Sequence, residues 1–70
     1  MKFSKAKMLA RLEREGKLDA VDDSSKKIMD MLDGKEAEKN HFKALVEGME
    51  VYYVKADNGI NYPVNKLDCE

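Results

Sequence analysis

The 70-residue chain has no tryptophan, one cysteine, one histidine and one proline. It also has no apolar run long enough to cross a bilayer. Each shortage closes off a class of function. A lone Cys69 cannot form an intramolecular disulfide, and a secreted domain of this size ordinarily needs at least two bridging cysteines. One His and one Cys cannot supply the four ligands of a structural zinc site. Asp30, Asp33 and Gly34 lack the alternating oxygen ligands of a calcium loop, because Met31 and Leu32 interrupt the run. The four glycines stand far apart, so no phosphate-cradling loop is present. The net charge of −1 gives no general attraction to nucleic acid. The basic start contains no apolar signal core, since Arg11 interrupts Met8–Leu12. The expectation is a cytoplasmic protein with no cofactor, no metal and no membrane contact.

The remaining composition suits a folded domain: 43% of the residues are hydrophobic and 39% charged. A chain of this length buries only about 60–65% of its unfolded surface, which favours a shallow contact surface over a deep cleft. Charge is unevenly spread. Residues 1–17 carry six basic groups against two acidic ones, and residues 18–34 carry two against five, so a helical hairpin would bring opposite signs together.

Ser4 is placed to cap a helix over about 5–15, ended by Gly16, with Met8, Leu9 and Leu12 on one side. Asp22, Asp23 and Ser24 offer caps for a second helix. Its buried face would hold Ile28, Leu32 and either Met29 or Met31, and Gly34 would stop it. Leu9, Leu12, Ile28 and Leu32 are expected to meet in one core. The polar stretch Lys35–Asn40 has room for a short third helix. Residues 42–47 fit two patterns: Phe42, Leu45, Val46 and Met49 keep a helical period, while Phe42, Ala44 and Val46 alternate as a strand. The strand is preferred because a two-stranded hairpin alone is marginal in water.

Met49–Ala56 is rich in β-branched and aromatic residues and reads as a strand, with Ile60–Val64 returning after the Asp57-Asn58-Gly59 turn. Two registers compete. A three-residue loop with left-handed Gly59 pairs Ala56 with Ile60 and aligns Tyr52, Val54 and Ala56 with Val64, Tyr62 and Ile60 on one apolar face. A two-residue turn would mix apolar and charged groups, so the first is expected. The fold class is therefore α+β: two N-terminal helices, and room for a short third, packed on a small antiparallel meander or hairpin. Residues 1–70 form one domain, helical over about 4–40 and β over about 42–66.

No nucleophile, base and orienting group form a recognised signature, and His41 and Cys69 lack the partners catalysis requires. Asp68 and Glu70 beside Cys69 would raise its pKa and suppress its reactivity. The expected function is a non-enzymatic binding or accessory protein, engaging a protein partner or a second copy through a sheet face or edge. Tyr52, Tyr53, Tyr62 and Met49 are the candidate contact residues. The alternative is a weak nucleic-acid-associated protein using Lys7, Arg11 and Arg14, spaced along one helix face, as phosphate contacts. No aromatic residue interleaves with that stripe to stack on bases, so nucleic acid ranks second.

Leu32-Asp33-Gly34, the segment Glu50 to Gly59, Tyr62-Pro63-Val64-Asn65 and Asp68-Cys69 together resemble small uncharacterised proteins of prophages in Gram-positive bacteria. The likeness runs over most of the chain. Its motifs are structural ones, so no functional residue is carried over. The resemblance implies a bacterial cytosolic setting and an accessory role.

Overall fold

Ser4 starts the first helix as expected. Its Oγ accepts the backbone N–H of Lys7 at 3.2 Å, and α1 runs Lys5–Arg14. Asp22 plays the same part for α2, Asp23–Leu32, accepting from the N–H of Ser25 at 2.8 Å. A short 3-10 turn, Leu18–Ala20, joins the two helices. In this computed structural model, which describes residues 1–70, the chain continues through β1 (Ala37–Lys39), α3 (His41–Glu47), β2 (Tyr52–Lys55), β3 (Asn61–Val64) and a second 3-10 turn, Lys66–Asp68. The architecture is α+β, with a three-stranded antiparallel sheet in the order β1-β2-β3.

The β2–β3 hairpin has the expected register. Tyr52 lies opposite Val64 and Val54 opposite Tyr62. Ala56 donates to the carbonyl of Ile60 at 3.0 Å, and Gly59 sits at φ 83°. That left-handed conformation, costly for a residue with a Cβ, closes the three-residue loop. One face of the sheet consequently carries Ala37, Val54, Tyr52, Tyr62 and Val64, and the other Glu38, Tyr53, Lys55, Asn61 and Pro63.

Between Gly34 and Gly48 the chain departs from expectation. Residues 35–40 do not form a helix, and residues 42–47 do not form a strand. The third strand is β1 and the third helix is α3, so the division into a helical part at 4–40 and a β part at 42–66 is corrected on both sides. The cause is backbone pairing from a distant segment. Phe3 donates to Lys35 and Gly34 donates to Phe3, both at 2.9 Å, while Ala37 donates to Met1 at 2.8 Å. Residues 34–37 are thus held extended by the start of the chain, and β2 takes the next three residues. On its other side the same N-terminal segment exchanges hydrogen bonds with Glu70 through Lys2, at 2.8 and 2.7 Å.

The core lies where these segments meet. Phe3, Leu32, Ala37, Val54, Ala56 and Cys69 form one buried cluster, and Met8, Ile28, Tyr62 and Val64 pack against it. Met29, not Met31, is the buried methionine of α2. Of the four residues expected to form the core, Leu32 and Ile28 take part, whereas Leu9 and Leu12 are only half-buried and lie outside the cluster. Met8 takes their place on α1, packed against the cluster that holds Phe3 and Cys69. The opposite charges of the two helices do meet: Lys5 pairs with Asp30, and its backbone N–H donates to Asp33 at 2.9 Å.

Candidate functional site

α3 is an excursion between two neighbouring strands. Its neck is closed by the pairing of Lys39 with Tyr52 and by the N–H of Asn40 on the carbonyl of Val51 at 2.7 Å. Local signals make the segment helical. Asn40 Oδ1 accepts from the N–H of Lys43 at 3.1 Å, and Gly48, at φ 72°, ends the helix by donating to Ala44 at 2.9 Å. A left-handed glycine after the last turn is the common way to satisfy a terminal carbonyl.

The orientation of α3 is the unusual feature. Phe42, Leu45 and Val46, at the i, i+3, i+4 spacing of one helix face, are 75%, 84% and 68% exposed, and Met49, just past the end of the helix, is 63% exposed. Only Ala44, on the opposite side, is half-buried. An amphipathic helix in a small domain normally turns its apolar face to the core; α3 turns it outward. Seven residues are also too few to hold a helix in water by propensity alone. The caps and the neck position it, and its own fold covers almost none of it. The radius of gyration, 12.3 Å, exceeds the roughly 11 Å of a tightly packed 70-residue domain, in keeping with an element that projects.

The residues expected to form a contact surface do not come together. Tyr52 and Tyr62 are half-buried on the core side of the sheet. Tyr53 is on the other side, its hydroxyl donating to Glu38 at 2.8 Å, a bond that also raises its pKa. Met49 is exposed just past the end of α3, after Gly48. Phe42, Leu45 and Val46 were the neighbours to seek, and their helical period was the available signal.

The basic stripe has different partners from those expected. Arg11 Nε and Nη2 bind the two carboxylate oxygens of Asp68 at 2.7 and 3.0 Å, and Nη1 binds Glu15 at 2.8 Å. These bonds raise the guanidinium pKa further. Lys7 Nζ donates to the carbonyl of Cys69 at 2.8 Å. Of the three, Arg14 alone is exposed with neither an ion pair nor a side-chain hydrogen bond. Two of the three candidate phosphate contacts are therefore engaged in holding residues 68 and 69 against α1.

Cys69 is buried, and burial, followed by the charge of Asp68, pushes its thiol pKa upward. His41 is exposed at the start of α3. The most apolar recess, about 250 Å³, lies between the helices and β3, with Met8, Ile28, Tyr62 and the Arg11–Asp68 pair on its walls. A polar recess of about 440 Å³ lies between the start of α3 and the hairpin. No family model, curated protein or solved structure matches the chain.

Proposed function

We propose that this chain is a non-enzymatic protein-binding module whose contact surface is the outward face of α3. The observation that carries the reading is the exposure of Phe42, Leu45 and Val46 on one face of a helix of which only Ala44 is even half-buried, with Met49 exposed just beyond its end. A contiguous apolar patch of this kind marks an interaction site more often than it marks ordinary surface. Phe42, Leu45 and Val46 supply the i, i+3 and i+4 anchors of the pattern by which a helix is received by an apolar groove or another helix.

A contact through the sheet has less support. The outer face is polar, with Glu38, Lys55 and Asn61 around Tyr53. On the edge strand β3, Ala56 and Ile60 form a hydrogen-bonded pair. Alternation then turns Pro63 outward, and a proline there offers no donor to an added strand. A cytosolic accessory role in a bacterial host, implied by the likeness to small prophage proteins, fits such a module.

The test compares two immobilised baits in host lysate: the native chain and Val46→Asp. Because Val46 is exposed, the variant should keep the native circular-dichroism spectrum. The expected result is one or more proteins retained by the native chain and by a Lys55→Glu control but lost with Val46→Asp. Identical retention by all three baits would overturn the assignment.

A further inference from the structure

We propose that Asn58-Gly59, at the tip of the β2–β3 hairpin, is a site of spontaneous deamidation that the folded turn holds in check and that, once modified to isoaspartate, undoes the hairpin register.

The sequence selects the position. Deamidation begins when the backbone nitrogen of the next residue attacks the Asn side-chain carbonyl carbon, and a side chain on that next residue crowds the approach. The four asparagines precede His41, Gly59, Tyr62 and Lys66, so Asn58 alone has a neighbour without a Cβ. Asn58 and Gly59 are both exposed to water.

In the reaction the Gly59 nitrogen bonds to Asn58 Cγ and gives up its proton, the Cγ–Nδ2 bond breaks, and Nδ2 leaves as ammonia. Water then opens the cyclic imide. Cleavage at Cγ leaves an aspartyl residue. Cleavage at the backbone carbonyl leaves an isoaspartyl residue, whose main chain is longer by one methylene.

The fold engages each group that ring closure needs. The Gly59 N–H donates to the carbonyl of Ala56 at 3.0 Å, so the attacking nitrogen is shielded from the base that must take its proton. Asn58 Oδ1 accepts from the N–H of Ile60 at 2.9 Å, which fixes the plane of the side-chain amide. Asn58 Nδ2 donates to the Tyr62 hydroxyl at 3.3 Å. The first and third of these bonds cannot survive the imide, because its nitrogen carries no hydrogen and Nδ2 has left. The reaction therefore runs through an opened turn, and its rate is set by how often the turn opens.

The two products differ in what they do to the hairpin. An aspartyl residue keeps an oxygen for the N–H of Ile60 and suits the same turn. The extra methylene of an isoaspartyl residue falls inside the three-residue loop that sets Ala56 opposite Ile60, and that loop fixes the register of both strands.

The test holds the purified chain in mildly alkaline buffer, with and without unfolding concentrations of guanidinium chloride, and follows the amide-to-acid change at each asparagine by peptide mapping. In denaturant Asn58 should react first, and in the native chain it should react at least about tenfold more slowly. Gly59→Ala should slow Asn58 in denaturant at least about fivefold, because a Cβ now crowds the attacking nitrogen. Amide NMR spectra of Asn58→Asp should keep the hairpin pattern, and those of the isoaspartyl form isolated from an aged sample should lose it around Ala56 and Ile60. Equal rates in the two states would show that the turn gives no protection. Another asparagine reacting ahead of Asn58 in denaturant, or an isoaspartyl form with the native hairpin pattern, would equally overturn the proposal.

Discussion

Arg11 donates to both carboxylate oxygens of Asp68, a residue 1% exposed, and joins the start of the molecule to its other end. Nothing local in the sequence foretells this pair. Arg11 is one of three evenly spaced basic residues on a helix, and a solvated face is the ordinary reason for such spacing. Its partner is 57 positions away, where no periodicity reaches. The pair makes a sharp prediction. Removing Arg11 leaves Asp68 buried and uncompensated, so Arg11→Ala should cost roughly 3–5 kcal/mol, and Asp68→Ala should cost less, because Arg11 keeps its pair with Glu15. Replacing both, as in Arg11→Met with Asp68→Leu, should cost clearly less than the two singles together. Urea unfolding of the four proteins checks this, and strict additivity would show that the contact is energetically idle. Cys69 reports on the same junction. Buried in the native chain, it should react slowly with a thiol reagent at pH 8, and faster in Arg11→Ala, where residues 68–70 are held less firmly.

At the scale of elements, α1, α2 and the hairpin were legible because each carries its own signals. Ser4 and Asp22 are caps, and only one register of the hairpin segregates its side chains. Residues 35–47 were not legible for two physical reasons. β1 has only three residues and one buried side chain, Ala37, so it offers no alternation to read. α3 does show its period, but the strand was preferred to give the hairpin a third partner, and β1 fills that place instead. The outward apolar face of α3 went unread with it. The core gives the corresponding test. Leu32→Ala should cost about 2–4 kcal/mol, and Leu12→Ala, at a half-buried site, nearer 1 kcal/mol. Equal shifts in the urea midpoint would place the core elsewhere. Gly59→Ala should cost about 1–2 kcal/mol, from conformation alone, since a Cβ there meets no atom within 4 Å.

Over the whole molecule, one small core gathers residues from both ends of the chain, α2, β1 and the hairpin, while α3 stays outside it. Charges around this assembly set its pH response. Arg11 lowers the pKa of Glu15, the Met1 ammonium lowers that of Glu36, and the N–H of Ser25 lowers that of Asp22. Each carboxyl binds its proton more weakly when folded than when unfolded. The stability it lends is complete above the ordinary carboxylate range and is lost as pH falls through the folded values. The melting temperature should therefore fall on acidification below about pH 4, and a rise would contradict these pairings. The central claim concerns where the molecule makes contact, and an amide NMR titration of the native chain with the proteins it retains from host lysate addresses it most directly. The account predicts progressive shifts confined to residues 41–50, with the β2–β3 hairpin unmoved. Shifts centred on Tyr52, Tyr53 and Tyr62 with α3 unchanged would contradict it.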